Sequence, residues 1–188
     1  FGILRVLVRI LRLESSKKVV ILEGERMGKG KVQAYYGYGK GKTPAVFGYA
    51  IHEASRGGNS IIIQFLKGKD DDEISFIKRL EPEIKLFRFQ KSDCLYDELS
   101  DEEKLEEQMS MKNGINYARK VLTTEECSML ILDEVLGLVD KKVISVEDLI
   151  ALIETRSEDT TILLTGRVLD DALLPYLDEV YRIQTEKE

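Results

Sequence analysis

The sequence contains no tryptophan, one histidine, two cysteines and three prolines in 188 residues. Cys94 and Cys127 have no Cys-x-x-Cys partner. Neither a disulfide framework nor a zinc site fits, and two reduced thiols are expected. No proline- or serine-rich linker divides the chain and no internal repeat appears, so one domain with one core is expected. Positive charge is also in short supply. A net charge of -6 and a pI near 5.1 argue against a nucleic-acid partner, which normally meets a basic footprint. No apolar run reaches the roughly 18 residues needed to span a bilayer. The expected location is cytoplasmic.

What is present is unevenly distributed. Phe1 to Leu13 is strongly apolar, with Arg5, Arg9 and Arg12 at helical spacing. This reads as a basic amphipathic helix that could lie on a membrane, pack over a pocket or address an organelle. Met27 opens Met-Gly-Lys-Gly-Lys-Val, a natural start just before a strand. Residues 1–26 are therefore expected to be an upstream extension, and residues 27–188 the working domain. A native N-terminus before Met27, seen by mass spectrometry, would overturn that expectation.

From there the pattern alternates. Val32–Tyr36, Ser60–Phe65, Ile84–Phe89, Met129–Asp133, Thr160–Leu164 and Val180–Ile183 read as strands, several of them apolar without alternation, as in a parallel sheet. Helices are expected over Thr43–Ser55, Asp72–Leu80, from a Ser100/Glu103 capping box to about Leu122, and from Ser145 with Asp148. Strands alternating with helices at this spacing call for a mostly parallel central sheet covered by helices on both faces, a three-layer α/β fold of the P-loop NTPase (RecA-like) kind. Ligands of such sheets bind at the carboxyl ends of the strands.

The polar motifs fall at those ends. Gly37-Tyr38-Gly39-Lys40-Gly41-Lys42-Thr43 links the first strand to the first helix. Glycines at 37, 39 and 41 permit positive φ and are expected to leave backbone N–H groups bare as an anion nest, assisted by the helix N-terminus. Lys42 supplies a point charge for phosphate, and the Thr43 hydroxyl suits Mg²⁺ or Mn²⁺. The usual P-loop spacing would place its first glycine at Tyr36, so this loop is one residue tighter. Asp133-Glu134 closes an apolar strand as a Walker B pair does, one carboxylate for the metal and the other for substrate. The plainer alternative is a pair that caps the next helix. Thr165-Gly166-Arg167 follows the fourth apolar strand, where an arginine can reach a phosphate or an anionic group.

As an ordered set these pieces resemble the P-loop ATP:corrinoid adenosyltransferases. The resemblance rests on the short loop Gly37 to Thr43, on Phe47-Gly48, on Ile63-Gln64-Phe65-Leu66-Lys67-Gly68, on Leu132-Asp133-Glu134, on Leu164-Thr165-Gly166-Arg167 and on Leu177-Asp178-Glu179-Val180. It implies transfer of the 5′-deoxyadenosyl group of ATP to the cobalt(I) of cobalamin or a precursor, by direct displacement at the ribose 5′ carbon with triphosphate leaving. It implies that Lys42, Thr43 and Mg²⁺ steady the triphosphate, with Asp133 beside Thr43 at the metal, while Glu134 and Arg167 position nucleotide and corrinoid. A flavin-type reductase would supply cobalt(I), and two copies could pair.

The chain also departs from the family. An aromatic pair, usually Phe and Trp, lies below the corrin in family members; here Tyr96 is the candidate, ahead of Phe89. His52 stands where the family tends to carry an arginine on the first helix, and Pro44 replaces a second threonine. A catalytically impaired ATP- or corrinoid-binding protein, and an NTPase or kinase acting at the γ-phosphate, are the alternatives.

Overall fold

The computed structural model describes residues 29–67 and 76–187. The expected N-terminal amphipathic segment, Gly68 and the start of the helix expected from Asp72 lie outside the described residues.

Six strands form one sheet: β1 (Val32–Tyr36), β2 (Ser60–Gln64), β3 (Ile84–Arg88), β4 (Met129–Asp133), β5 (Thr161–Gly166) and β6 (Glu179–Arg182). Their order is β3-β2-β4-β5-β1-β6, and every pairing is parallel. Four α-helices are described: α1 (Lys42–Ser55), α2 (Asp101–Thr123), α3 (Val135–Asp140) and α4 (Val146–Ile153).

Side-chain alternation along the strands divides the core into two layers. Ile61, Ile63, Leu130, Leu132, Ile162 and Leu164 face α2, α3 and α4, meeting Met111, Ala118, Leu136, Leu149 and Leu152. Their neighbours Ile62, Ile131 and Leu163 face α1, meeting Val46 and Ala50. Each such Leu or Ile, taken fully out of water, contributes about 1.5–3 kcal/mol. α2 is long and polar outside, opened by the expected Ser100/Glu103 capping box. It comes close to the sheet edge because Gly114 has no side chain: a Cβ there would lie 2.7 Å from the Phe65 ring.

Register levels the carboxyl ends of the strands. Gln64 lies opposite Asp133, Leu132 opposite Leu164, and Tyr36 opposite Gly166. The residues that follow each strand therefore open onto one common edge. Two of these exits use the left-handed region at a non-glycine residue, Leu66 (φ 52°) after β2 and Glu134 (φ 62°) after β4. Such positions are uncommon and cluster where function constrains the backbone.

α3 was foreseen only as the helix that an Asp133-Glu134 cap would open, without bounds. It is a short, almost wholly apolar segment directly after a strand, where no periodicity can be read. Of the helix expected to end at Leu80, the described part closes in a 3₁₀ turn at Lys78–Leu80.

Candidate active site

β1 ends at Tyr36, and the loop to α1 is shaped by two neighbours. The Gly37 N–H donates to the carbonyls of Gly166 and Arg167 at 3.2 and 3.1 Å, and the Gly39 N–H donates to the Ile183 carbonyl at 3.1 Å. These two amides are struts rather than bare donors, a correction to the expectation that all three glycines present free N–H groups. Positive φ is needed at Gly37 (119°) and Gly41 (107°). Gly39 is required for space instead, because a Cβ would fall 2.7 Å from the Gln184 backbone. Gly41 is the N-cap of α1 and provides no side-chain cap, and the first turn carries no acidic residue. That helix end is left with its positive dipole toward the loop.

Lys42 is buried, only 8% exposed. Its Nζ donates to the carbonyls of Gly37 (2.6 Å) and Gly39 (2.9 Å), so the ammonium sits under the loop it follows. Tyr38 projects into solvent, 79% exposed, and Lys40 is exposed beside it. Pro44 lies in the first turn of α1, where its missing N–H is tolerated.

Asp133 is the hub of the edge and is fully buried. Its Oδ1 accepts from the Thr165 hydroxyl at 2.7 Å, and the Thr43 hydroxyl is shared between its oxygens at 3.1 and 3.2 Å. Oδ2 accepts from Gln64 Nε2 at 3.1 Å and from the Lys67 ammonium at 2.7 Å. Lys67 Nζ also donates to Thr43 Oγ1 at 2.8 Å. Gln64 is oriented from behind, its Oε1 accepting from Arg88 Nε and one terminal nitrogen at 3.1 and 2.7 Å. A buried carboxylate is tolerable only when paired and hydrogen-bonded, and here both conditions are met.

These contacts test whether a divalent cation fits. The Lys67 ammonium stands between the Thr43 hydroxyl and the Asp133 carboxylate, showing that a cation is accommodated between those two oxygen donors. Among the described residues, no group of three or more His, Cys, Asp or Glu side chains could hold a metal ion. Two oxygen ligands completed by phosphate and water are the environment Mg²⁺ prefers.

Glu134 occupies the N-cap position of α3, yet its side chain makes no capping bond. It is therefore not the capping carboxylate of the plainer reading. Its backbone N–H donates to Thr165 Oγ1 at 2.8 Å. Burial, then the adjacent Asp133 charge, push its carboxyl above the usual range, against the pull of Lys42, Lys67 and Arg167. Arg167 is exposed after β5, and its field lowers both Glu134 and Asp97. Asp97 is held well below the ordinary carboxylate value chiefly by its hydrogen bond from Lys141.

Tyr96 precedes Asp97 and is 9% exposed. Its hydroxyl accepts from Gln108 Nε2 at 2.8 Å, and the Lys141 ammonium lies 5.5 Å from its ring centroid. His52 is exposed in the last turn of α1, about 15 Å along the helix from Lys42 at 1.5 Å per residue. The structure thus brings together Lys42, Thr43, Asp133 and Glu134, borders them with Arg167, and leaves His52 at the far end of α1.

Lys67, Thr165 and Gln64 belong to the site although sequence reasoning gave them no role. Their signals were membership of the segments that carry the family resemblance and position, since each lies at or just beyond the end of a buried strand beside Asp133.

No curated protein matches the sequence. Among solved structures, the fold is similar to that of a KaiC-like protein from the hyperthermophilic archaeon Pyrococcus horikoshii OT3, with a TM-score of 0.52 at 14% identity over 85% of this chain and 75% of that one. That likeness, with the all-parallel sheet and its two helical layers, shows a RecA-like α/β fold. PCH-2 of C. elegans aligns at a TM-score of 0.39 and 17% identity, over 82% of this chain and 35% of that one, and adds nothing to the assignment. Among the described residues, no helix is long and apolar enough to cross a membrane. The family ATP:corrinoid adenosyltransferase BtuR/CobO/CobP matches residues 28–188, most of the chain, and the protein belongs to that family.

Proposed function

We propose that the cluster around Asp133 is where this adenosyltransferase aligns ATP with a reduced corrinoid and stabilises the departing triphosphate. Family membership gives the reaction: adenosyl transfer from ATP to a corrinoid. The observation that supports the residue assignment is the Thr43–Asp133 contact at 3.1 Å directly beneath the phosphate loop, with Lys42 beside it.

Cobalt(I) of the corrinoid brings both electrons of the new Co–C bond. The C5′–O5′ pair departs on the triphosphate. No protein nucleophile or proton transfer is required at the reacting carbon, so the protein acts by orientation and by charge. Lys42 donates to the phosphate oxygens in place of the Gly37 and Gly39 carbonyls. Thr43 and Asp133 hold Mg²⁺ or Mn²⁺, which when bound supplies positive charge to the triphosphate. Tyr38, Lys40 and Gly41 surround the same anion, Gly37 and Gly39 shaping the turn. Glu134, kept largely out of water, faces the nucleotide. Arg167, whose charge reaches both Glu134 and Asp97, borders the corrinoid side, and Tyr96 next to Asp97 is the aromatic candidate there. His52, in the last turn of α1, is the proposed contact farthest from the phosphate loop.

The reaction consumes cobalt(I), so an electron donor must act before it, and a reductase of the flavin type would serve. A cytoplasmic setting suits that supply.

The decisive experiment incubates the protein with ATP, Mg²⁺ and chemically reduced cobalamin and follows the absorbance change of Co–C bond formation alongside triphosphate release. No change beyond the protein-free control overturns the reading. Release of orthophosphate instead identifies an enzyme acting at the γ-phosphate.

A further inference from the structure

Lys67 is a cation of the Asp133 cluster to which the proposed function gives no role. It stands between the two side chains that would bind the metal, 2.7 Å from Asp133 Oδ2 and 2.8 Å from Thr43 Oγ1. Its placement is built. Leu66 turns the chain through the left-handed region immediately before it, and the Leu66 side chain lies over Gly137, where a Cβ would be 2.7 Å from Leu66 Cδ1. The side chain itself is only partly covered, 27% exposed, whereas its partner Asp133 is sealed. One end of this ion pair is fixed and the other can move.

An ammonium hydrogen-bonded to both oxygens and a divalent ion bound to them would compete for the same lone pairs. Metal–oxygen distances near 2.0–2.1 Å would also place two cations within a few ångströms of each other, with strong mutual repulsion. The ammonium has to leave when the metal arrives, and the nearest new negative charge is the triphosphate held by Lys42 and Thr43.

We propose that Lys67 is a further catalytic residue: it bridges Thr43 and Asp133 while the site lacks nucleotide, then transfers its ammonium to the phosphates of ATP and stabilises them as they leave. The inference rests on the adenosyl-transfer reading of the same site. While nucleotide is absent, Lys67 balances the buried Asp133 charge. Once nucleotide binds, it adds a third positive donor to those of Lys42 and the helix end, so loss of triphosphate is favoured without any acid.

Lys67→Met keeps the length of the side chain and removes the charge. In nucleotide-free protein, Mn²⁺ followed by electron spin resonance should bind this variant about tenfold or more tightly than wild type, because its competitor is gone. Co–C bond formation at saturating ATP and Mg²⁺ should fall about tenfold to a hundredfold, the scale of one lost charge-assisted contact. Unchanged Mn²⁺ affinity, or unchanged turnover in a variant that melts like wild type, overturns the proposal. If Lys67→Met does not fold, the wild type still decides. With ¹⁵N-labelled lysine and no corrinoid, the Lys67 ammonium resonance (identified through its loss in Lys67→Arg) should shift when Mg²⁺ and ATP are added together. A stationary resonance overturns the proposal. The two readings fail separately. Wild type that forms no Co–C bond but shows the shift removes adenosyl transfer and keeps the cation exchange; turnover with a stationary resonance does the reverse.

Discussion

Lys42 Nζ lies 2.6 Å from the carbonyl oxygen of Gly37, the first residue of its own loop. The ammonium that would meet phosphate thus already has partners, and they are carbonyls that a phosphate oxygen can replace. Lys42→Ala should keep the fold at a cost of about 1–3 kcal/mol, since it orphans the Gly37 and Gly39 carbonyls, while cutting ATP use by about tenfold to more than a hundredfold, the worth of a charge-assisted contact. Rates of Co–C bond formation with parallel thermal melts check this, and undiminished activity would contradict the leaving-group role.

Thr165 has no exposed surface, and its hydroxyl both donates to Asp133 (2.7 Å) and accepts from the Glu134 N–H (2.8 Å). Thr165→Val keeps the shape, removes the acceptor of the Glu134 N–H and leaves Asp133 Oδ1 with only the longer Thr43 contact. A loss of about 1–3 kcal/mol in unfolding free energy is expected, since orphaned buried polar groups bear their desolvation cost in full. Chemical denaturation measures it, and a variant as stable as wild type would remove Thr165 from the network.

Glycines 37 and 48 should respond in opposite ways. A Cβ on Gly37 would meet the Ile183 carbonyl oxygen at 2.3 Å with φ at 119°, so Gly37→Ala should abolish ATP binding or lower the melting temperature. A Cβ on Gly48 meets nothing within 4 Å on an exposed face of α1. Gly48→Ala should stabilise by up to about 1 kcal/mol through helix propensity. If it instead abolishes Co–C bond formation with the fold intact, a substrate packs against that face.

α4 starts with a reciprocal cap between Ser145 and Asp148. Ser145→Ala should cost about 1 kcal/mol. The backbone N–H of Ser145, then its side chain, hold the Asp148 carboxyl below its ordinary value of 3.8. A depressed folded-state value means that this stabilisation is present above the ordinary value and lost as pH falls through the folded one. The melting-temperature gap between wild type and Asp148→Ala should be open at about pH 7 and should narrow at about pH 2.5. A gap independent of pH would contradict the ionised cap.

The layered sheet was legible because its central strands β2, β4 and β5 are buried on both faces and read as near-continuous apolar runs. Both capping boxes were legible for the same local reason. The phosphate loop, Asp133 and Glu134 could be read because their chemistry follows a strand directly. Lys67 stood in a segment that carries the family resemblance, but its role could not be read until parallel register sets β2 beside β4. Gly39 was read as a phosphate donor, yet its need comes from contact with Gln184, distant in sequence.

The Gly39 N–H rests on the Ile183 carbonyl, and the Ile183 N–H donates to the Tyr36 carbonyl in return. The edge strand β6 thus braces the glycine turn from outside, so fraying of that edge would slacken the turn and loosen its grip on a triphosphate.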